Sequence, residues 1–245
     1  MIKKLIVVLI IYFIPMLAFS GPPYDTDDPE PVELNHWEFY SASHLMHNSD
    51  GWNATLVHFE VNYGLAKNLQ IHAIIPFVLN SPFGMKSQYG LSDIELGAKY
   101  RILQEGKNTP MVGIFPLIEL PTGSSSNGLG NGKLQIFLPI WFQKSFGKWT
   151  TYGGGGYNIN TAEDTKNSVF VGWQIQNQVL NDLSIGAEVN YKSPEEEGGK
   201  SETRFNFGFI YDLNEHNHIL FSAGRSISGD VKAQIYLGYQ LTLGS

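Results

Sequence analysis

"TLVHFEVNY", residues 55 to 63, is the stretch whose reading decides the fold. Val57, Phe59, Val61 and Tyr63 fall on one side, and Leu56, His58, Glu60 and Asn62 on the other. A period of two is what a β-strand produces, because successive side chains point to opposite faces of the pleat. "TRFNFGFIY" at 203 to 211 repeats it, with Phe205, Phe207, Phe209 and Tyr211 opposite Arg204, Asn206, Gly208 and Ile210. "QIYLGYQLTL" at 234 to 243 sets Ile235, Leu237, Tyr239, Leu241 and Leu243 against Gln234, Tyr236, Gly238, Gln240 and Thr242. No helical period follows residue 20.

Working outward, about twelve such segments fill the chain from residue 35 onward. Their connections alternate in kind. "GLAKN" at 64, "EGKN" at 105, "SFGK" at 145, "NDL" at 181 and "NEHN" at 214 are short. "NSPFGMKSQYG" at 80, "PTGSSSNGLGNGK" at 121, "NTAEDTKN" at 160 and "SPEEEGGK" at 193 are longer and rich in Gly, Ser or charge. Short turns at one end and longer loops at the other describe an up-and-down meander of the outer-membrane type. An even strand number puts both ends of the sheet at the short-turn, periplasmic side.

A soluble sandwich alternates too, but buries its apolar face. Three features favour an apolar face turned to lipid. Charged residues are 16% of the chain, where a soluble domain has about 25%. Many segments reach about ten residues, the length of a tilted membrane crossing. Trp37, Tyr63, Tyr100, Trp149, Tyr157, Tyr191, Tyr211 and Tyr239 gather near segment ends, as interfacial girdles do. The expected fold is therefore all-β: a closed antiparallel up-and-down transmembrane barrel of about twelve strands. Pro76, Pro116 and Pro139 each remove a ladder donor, so kinks or bulges are expected there. The glycines of "YGGGGY" at 152 to 157 mark bending or close approach by an inner element. They and Gly128, Gly130 and Gly132 lack the following helix and lysine of a phosphate cradle.

Upstream, "MIKKLIVVLIIYFIPMLAFS" has a positive start, an apolar run too short to span a bilayer, and a small-x-small end. It reads as a secretory signal peptide at 1–20. Residues 21–34 form an acidic, proline-rich segment, and 35–245 the barrel. Removing the signal takes Lys3 and Lys4 and moves formal charge from −7 to −9. Nucleic acid is excluded as a partner, because phosphate binding needs a basic face. The chain has no cysteine, so stability must come from burial and hydrogen-bonded closure. Pro22, Pro23, Pro29 and Pro31 keep the acidic segment out of the sheet. From the periplasmic side it either hangs free or folds into the barrel mouth. In the second case Asp25, Asp27, Asp28 and Glu30 would pair with lumen cations such as Lys99, Arg101 or Arg204 and narrow the pore.

"GPPYDTDDPEPVELNHWEFY" at 21 to 40, "ELPTGSSSNGLGNGK" at 119 to 133, "LPIWFQKSFGKWTTYGGGGY" at 138 to 157 and "LSIGAEV" at 183 to 189 carry a resemblance. The chain resembles the outer-membrane family labelled as a meta-pathway phenol-degradation component, over most of the mature sequence. The resemblance implies transport in the Gram-negative outer membrane, for small aromatic or other hydrophobic molecules, and no catalytic residues. Outer-membrane lipid, a small-molecule solute and the barrel-assembly machinery are the implied partners. One departure is the ending Leu243-Gly244-Ser245, where many barrels carry an aromatic residue recognised during assembly.

Lumen-facing residues are where function would reside. With turns centred near Gly51 and Leu65, His44, His58 and His72 form a row across three strands. Such imidazoles can bind metal or titrate together, but lumen histidines more often bond to Glu or Gln, and no metal or cofactor is assigned. Pairing about Lys107 sets Glu95 opposite Glu119 near the outer mouth, where they are either neutralised by Lys99 and Arg101 on the same face or form a selectivity ring that admits cations or polar solutes. Glu188, Lys192, Glu202 and Arg204 are a second inward network. A passive channel is the leading class, since twelve strands enclose less than a water-filled porin. A closed-lumen scaffold or adhesin is one alternative. A lipid hydrolase on the outer wall is another, but Ser41 and Ser43 have no outward histidine partner and there is no G-x-S-x-G elbow.

Overall fold

The computed structural model describes residues 22–162 and 165–244. The signal-peptide segment 1–20 lies outside the described residues. Twelve antiparallel strands close into a barrel. They are β1 (Trp37–His47), β2 (Gly51–Ala66), β3 (Leu69–Pro82), β4 (Gln88–Leu91 and Ile94–Leu103), β5 (Met111–Ile114 and Leu117–Leu120) and β6 (Gln135–Phe146). Then follow β7 (Trp149–Asn160), β8 (Ser168–Leu180), β9 (Leu183–Lys192), β10 (Glu202–Asn214), β11 (Asn217–Ser228) and β12 (Ala233–Leu243). Each strand pairs with its neighbours in sequence, and β12 returns to β1 from Trp37↔Leu243 to His47↔Ala233. That last ladder leaves the sheet without an edge.

The pleat turns the apolar side out and the polar side in. On β10, Phe207 is 61% exposed and the adjacent Asn206 only 1%. Phe59, Trp173 and Leu237 line the same outer belt, while Gln174, Glu188, Asn190 and Gln240 are buried within. Water would reverse this distribution, so the surrounding medium of the belt is hydrocarbon. Exposed aromatics mark both rims: Trp37, Tyr100, Trp149, Tyr211 and Tyr239 at the short-turn end, and Trp52, Tyr89, Tyr157 and Tyr191 at the other.

Two strand interruptions have local causes. Pairing between β5 and β6 jumps from Ile114↔Ile140 to Leu117↔Phe137. Pro116 and Pro139 both fall in that gap, so their missing donors share one defect. The β4 break at Ser92 and Asp93 sits beside Pro76, whose carbonyl accepts from the Ser92 N–H at 3.0 Å. A register shift between Thr55 and Val57 overturns one expectation: Leu56 points outward and is exposed, because the bulge inverts parity there. The glycine run of β7 is covered by aromatic rings of neighbouring strands. Trp173 lies against Gly153 and Phe137 against Gly156, while the Ile140 and Phe170 carbonyls crowd Gly154 and Gly155, so close packing of neighbouring strands rather than an inner segment needs the missing Cβ.

A lipid-facing belt makes a definite demand. Phe207→Arg is expected to cost about 2–4 kcal/mol if it lies near the bilayer midplane, measured by urea-driven unfolding from lipid vesicles. A loss within about 0.5 kcal/mol, the usual size for a water-exposed surface position, would contradict this environment.

Candidate functional site

The segment before β1 is folded into the lumen. At the short-turn rim Asn35 adopts a left-handed backbone conformation (φ 63°), which asparagine tolerates better than most side chains. Its N–H donates to the Gly64 carbonyl at 2.8 Å. Residues 22–33 then run inside the barrel. Among these, Pro23, Thr26, Asp28, Pro29, Pro31 and Val32 are buried.

Polar contacts tether this plug to much of the wall. The Val32 N–H donates to Gln70 Oε1 of β3 at 2.9 Å. Lys99 of β4 lies 2.9 Å from Asp27 and 3.3 Å from Asp28. Arg101 reaches Glu30 at 3.8 Å, and Gln143 of β6 donates to the same carboxylate at 3.3 Å. Arg204 of β10 pairs with Asp25 at 3.3 Å, and Asn190 of β9 donates to it at 2.9 Å. Glu188 accepts both the N–H and the hydroxyl of Thr26 at 2.5 Å, the Asp25 N–H at 3.2 Å and Asn206 at 2.8 Å. Ser222 of β11 donates to the Pro23 carbonyl at 2.6 Å.

Close approach is possible because the wall is thinned under the plug. A Cβ on Gly113 would meet Pro29 at 2.9 Å, and one on Gly186 would meet the Tyr24 hydroxyl at 2.6 Å. On Gly172 it would collide with Thr26 Oγ1. These glycines and the role of Thr26 were not anticipated from sequence. The available signal was a small residue at an inward position of an otherwise regular alternation.

Charge fixes the ionisation of the plug. Burial works to raise the Asp25 carboxyl, but Arg204, with His44 and Asn190, outweighs it and holds the group below its ordinary 3.8. Burial opposes Asp27 in the same way, and Lys99 overrides it to the same effect. Glu30 goes the other way: burial raises it, and Gln143 and Arg101 offset only part.

The remaining sequence candidates lie on the wall beside the plug. The β1–β2 turn centres on Asp50 and the β2–β3 turn on Lys67, so His58 faces Ala42 and His72 faces Asn62 across their ladders. The expected histidine row is therefore staggered. His72 instead bonds to Asn62 at 2.6 Å and Glu95 at 3.0 Å, with Glu60 at 3.6 Å. His44 and His58 both approach the Tyr236 ring, at 6.4 and 6.3 Å between centroids. Glu95 and Glu119 are direct cross-strand partners. Their expected neutralisers are elsewhere, because the plug carboxylates engage Lys99 and Arg101. Glu119 accepts instead from Asn131 at 3.0 Å. Lys192 pairs with Glu195 at 2.7 Å rather than with Glu188, while Arg204 keeps Glu202 at 3.5 Å.

A cavity of about 980 Å³ runs beside the plug, from His36, His216 and Gly244 at the short-turn rim to Glu95, Leu117 and Glu119. A smaller one of about 130 Å³ continues past those three residues to Gln135, Asn158 and Lys192. An inward apolar cluster of Phe115, Trp141 and Phe170, with Leu117 and Phe137, borders both. The site is a polar, acid-rich conduit with one aromatic wall, narrowed by the chain's own leader.

The family described as "Putative MetA-pathway of phenol degradation" matches residues 52–243, which leaves the plug and β1 outside the matched range. No curated protein matches the chain. Among solved structures, an outer membrane channel from Pseudomonas putida F1 superposes with a TM-score of 0.73 at 14% identity, over 90% of this chain and all 100% of that one. The KdgM porin gives 0.59 at 9% identity, covering 83% of this chain and 98% of its own. The NanC porin gives 0.58 at 7%, covering 84% and 99%. At these identities the likeness is one of fold.

Two outcomes test the tethers. Lys99→Met removes the buried ammonium shared by Asp27 and Asp28, and breaking a buried pair in this way costs about 3–5 kcal/mol of docking. In a Pro29→Cys background, the protein's sole thiol, maleimide labelling should then rise by about two orders of magnitude or more. Asp25 and Asp27 are depressed, so their contribution is complete above 3.8 and is lost as pH falls through their lower docked values. The Asp25 and Asp27 tethers should therefore hold from about pH 8 to pH 5, and the steep rise in conductance that marks release of the plug should come only below about pH 4.

Proposed function

From the premise that the chain belongs to this family named for phenol degradation, we propose that it is a passive channel of the Gram-negative outer membrane. Its solutes are small molecules, aromatic or otherwise hydrophobic compounds foremost, and its own N-terminal segment sets the bore. The observation that carries this reading is the conduit of about 980 Å³ left open beside a plug that is otherwise fully tethered. A barrel filled for rigidity alone would gain by closing that space, since voids forfeit packing. The porin-like fold supports the same reading.

Several details agree with small solutes. Twelve strands enclose less than the sixteen to eighteen of a water-filled porin, and the plug takes part of that. Phe115, Leu117 and Phe137 offer an aromatic ring an apolar surface within an otherwise polar bore. The short-turn rim faces the periplasm and the long loops face outward, with lipid around the belt and the assembly machinery as the inserting partner. The reading involves no catalysis. The Ser43 hydroxyl donates to the Leu56 carbonyl at 2.6 Å; His44, His58 and His72 lie on the opposite face of the wall from Ser41, and His47, which shares the face of Ser41, is stacked on Trp52 at 4.5 Å between ring centroids.

The closed-lumen alternative draws on the same plug, and conductance separates the two. Deleting residues 21–33 should raise single-channel conductance several-fold while the barrel keeps its heat-modifiable gel mobility. Equal conductance with and without the segment would show that the plug does not set the bore.

A further inference from the structure

The two cavities meet at Glu95, Leu117 and Glu119, the three residues that line both. The geometry points to this constriction as a charge filter that passes aromatic molecules bearing a hydrogen-bond donor or a positive charge and rejects aromatic carboxylates. The inference rests on the channel reading above and names the chemistry of its solute.

Each carboxylate is held by one oxygen. His72 Nε2 contacts Glu95 Oε1 at 3.0 Å, and the other ring nitrogen of His72 is fixed by Asn62 at 2.6 Å. Asn131 donates to Glu119 Oε2 at 3.0 Å and to Gln135 at 2.8 Å. Asn131 is itself fixed by Asp93, which accepts its N–H at 2.6 Å and that of Gly123 at 2.8 Å. The long loop 121–134 thereby positions Glu119. Glu95 Oε2 and Glu119 Oε1 take no hydrogen bond or ion pair among the described residues.

Nearby basic groups compensate the pair only in part: His72 reaches one oxygen of Glu95, and Lys192 shares the outer cavity with Glu119. Lys99 is held by the plug, and Lys192 in the outer cavity is paired with Glu195 at 2.7 Å. Two carboxyl groups on directly opposed residues gather acceptor oxygens and like charge at one level of the bore. The pair offers acceptor oxygens and repels anions. Leu117, with Phe115 below and Phe137 above, supplies an apolar face at the same level. A phenol or an aromatic amine fits both demands: the ring against the apolar face, the O–H or N–H toward a free carboxylate oxygen. A benzoate meets like charge and finds Lys99 and Lys192 already paired.

The test is a set of reversal potentials for the full-length protein in planar bilayers. Asymmetric KCl should give a K⁺ over Cl⁻ permeability ratio on the order of fivefold or more. In bi-ionic conditions benzylammonium should carry current and benzoate should not. The double variant Glu95→Gln and Glu119→Gln, near-isosteric and checked for heat-modifiable mobility, should bring the ratio close to one and admit benzoate. A wild-type ratio near one, or an unchanged ratio in the double variant, overturns the filter and leaves the channel standing. If neither the full chain nor the plug-deleted chain conducts, the channel reading fails and the filter with it.

Discussion

Backbone N–H and C=O groups have no partner in hydrocarbon, and each one left open there costs several kcal/mol. The closing ladder between β1 and β12, eleven residue pairs from Trp37↔Leu243 to His47↔Ala233, meets that constraint. Much else follows from it. Closure into a cylinder assigns every strand one outer and one inner face, so the period-two pattern becomes a partition between lipid and lumen. The partition holds even where the ladder is imperfect. Pro116 and Pro139 lie in one shared gap, which confines two missing donors to a single place instead of opening two.

A closed wall with polar residues inside creates a second problem, because lumen charges need counter-charges or water. The plug supplies the former. Its carboxylates meet Lys99, Arg101 and Arg204, and its backbone N–H groups meet Glu188 and Gln70. A buried ion pair contributes little net stability against an apolar equivalent, but removing one partner is costly. The pairs therefore fix where the segment sits more than how strongly it is held. Pro29 against Gly113 and Tyr24 against Gly186 set its depth by contact.

The sequence carried the wall clearly because alternation is a local signal repeated in every strand. Register was harder, since it depends on turn centres and bulges that a few residues decide. Centring the β1–β2 turn on Gly51 instead of Asp50 and the β2–β3 turn on Leu65 instead of Lys67 aligns three histidines that are in fact staggered. Leu56 was misassigned for the same reason: a bulge between Thr55 and Val57 inverts parity without changing composition. The plug's acids could be matched to lumen cations by sign alone, because few cations face inward. The glycines that admit it could not, since an inward glycine looks the same whether it accommodates a plug, a ring or a bend.

The plug also changes the charge of the space it narrows. Lys99, Arg101 and Arg204 are inward cations on β4 and β10, and without the segment they would share the bore with Glu38, Glu60, Glu95 and Glu119. With it docked, each is held by a carboxylate of the leader, and the wall acids that remain along the conduit are met by His72, Tyr40 and asparagine amides. These neutral or weakly basic partners leave negative potential in the passage, where low-dielectric walls extend its reach. Size and sign of the conduit are thus set by one segment. A change that weakened its ion pairs would widen the bore and restore positive charge to its wall together.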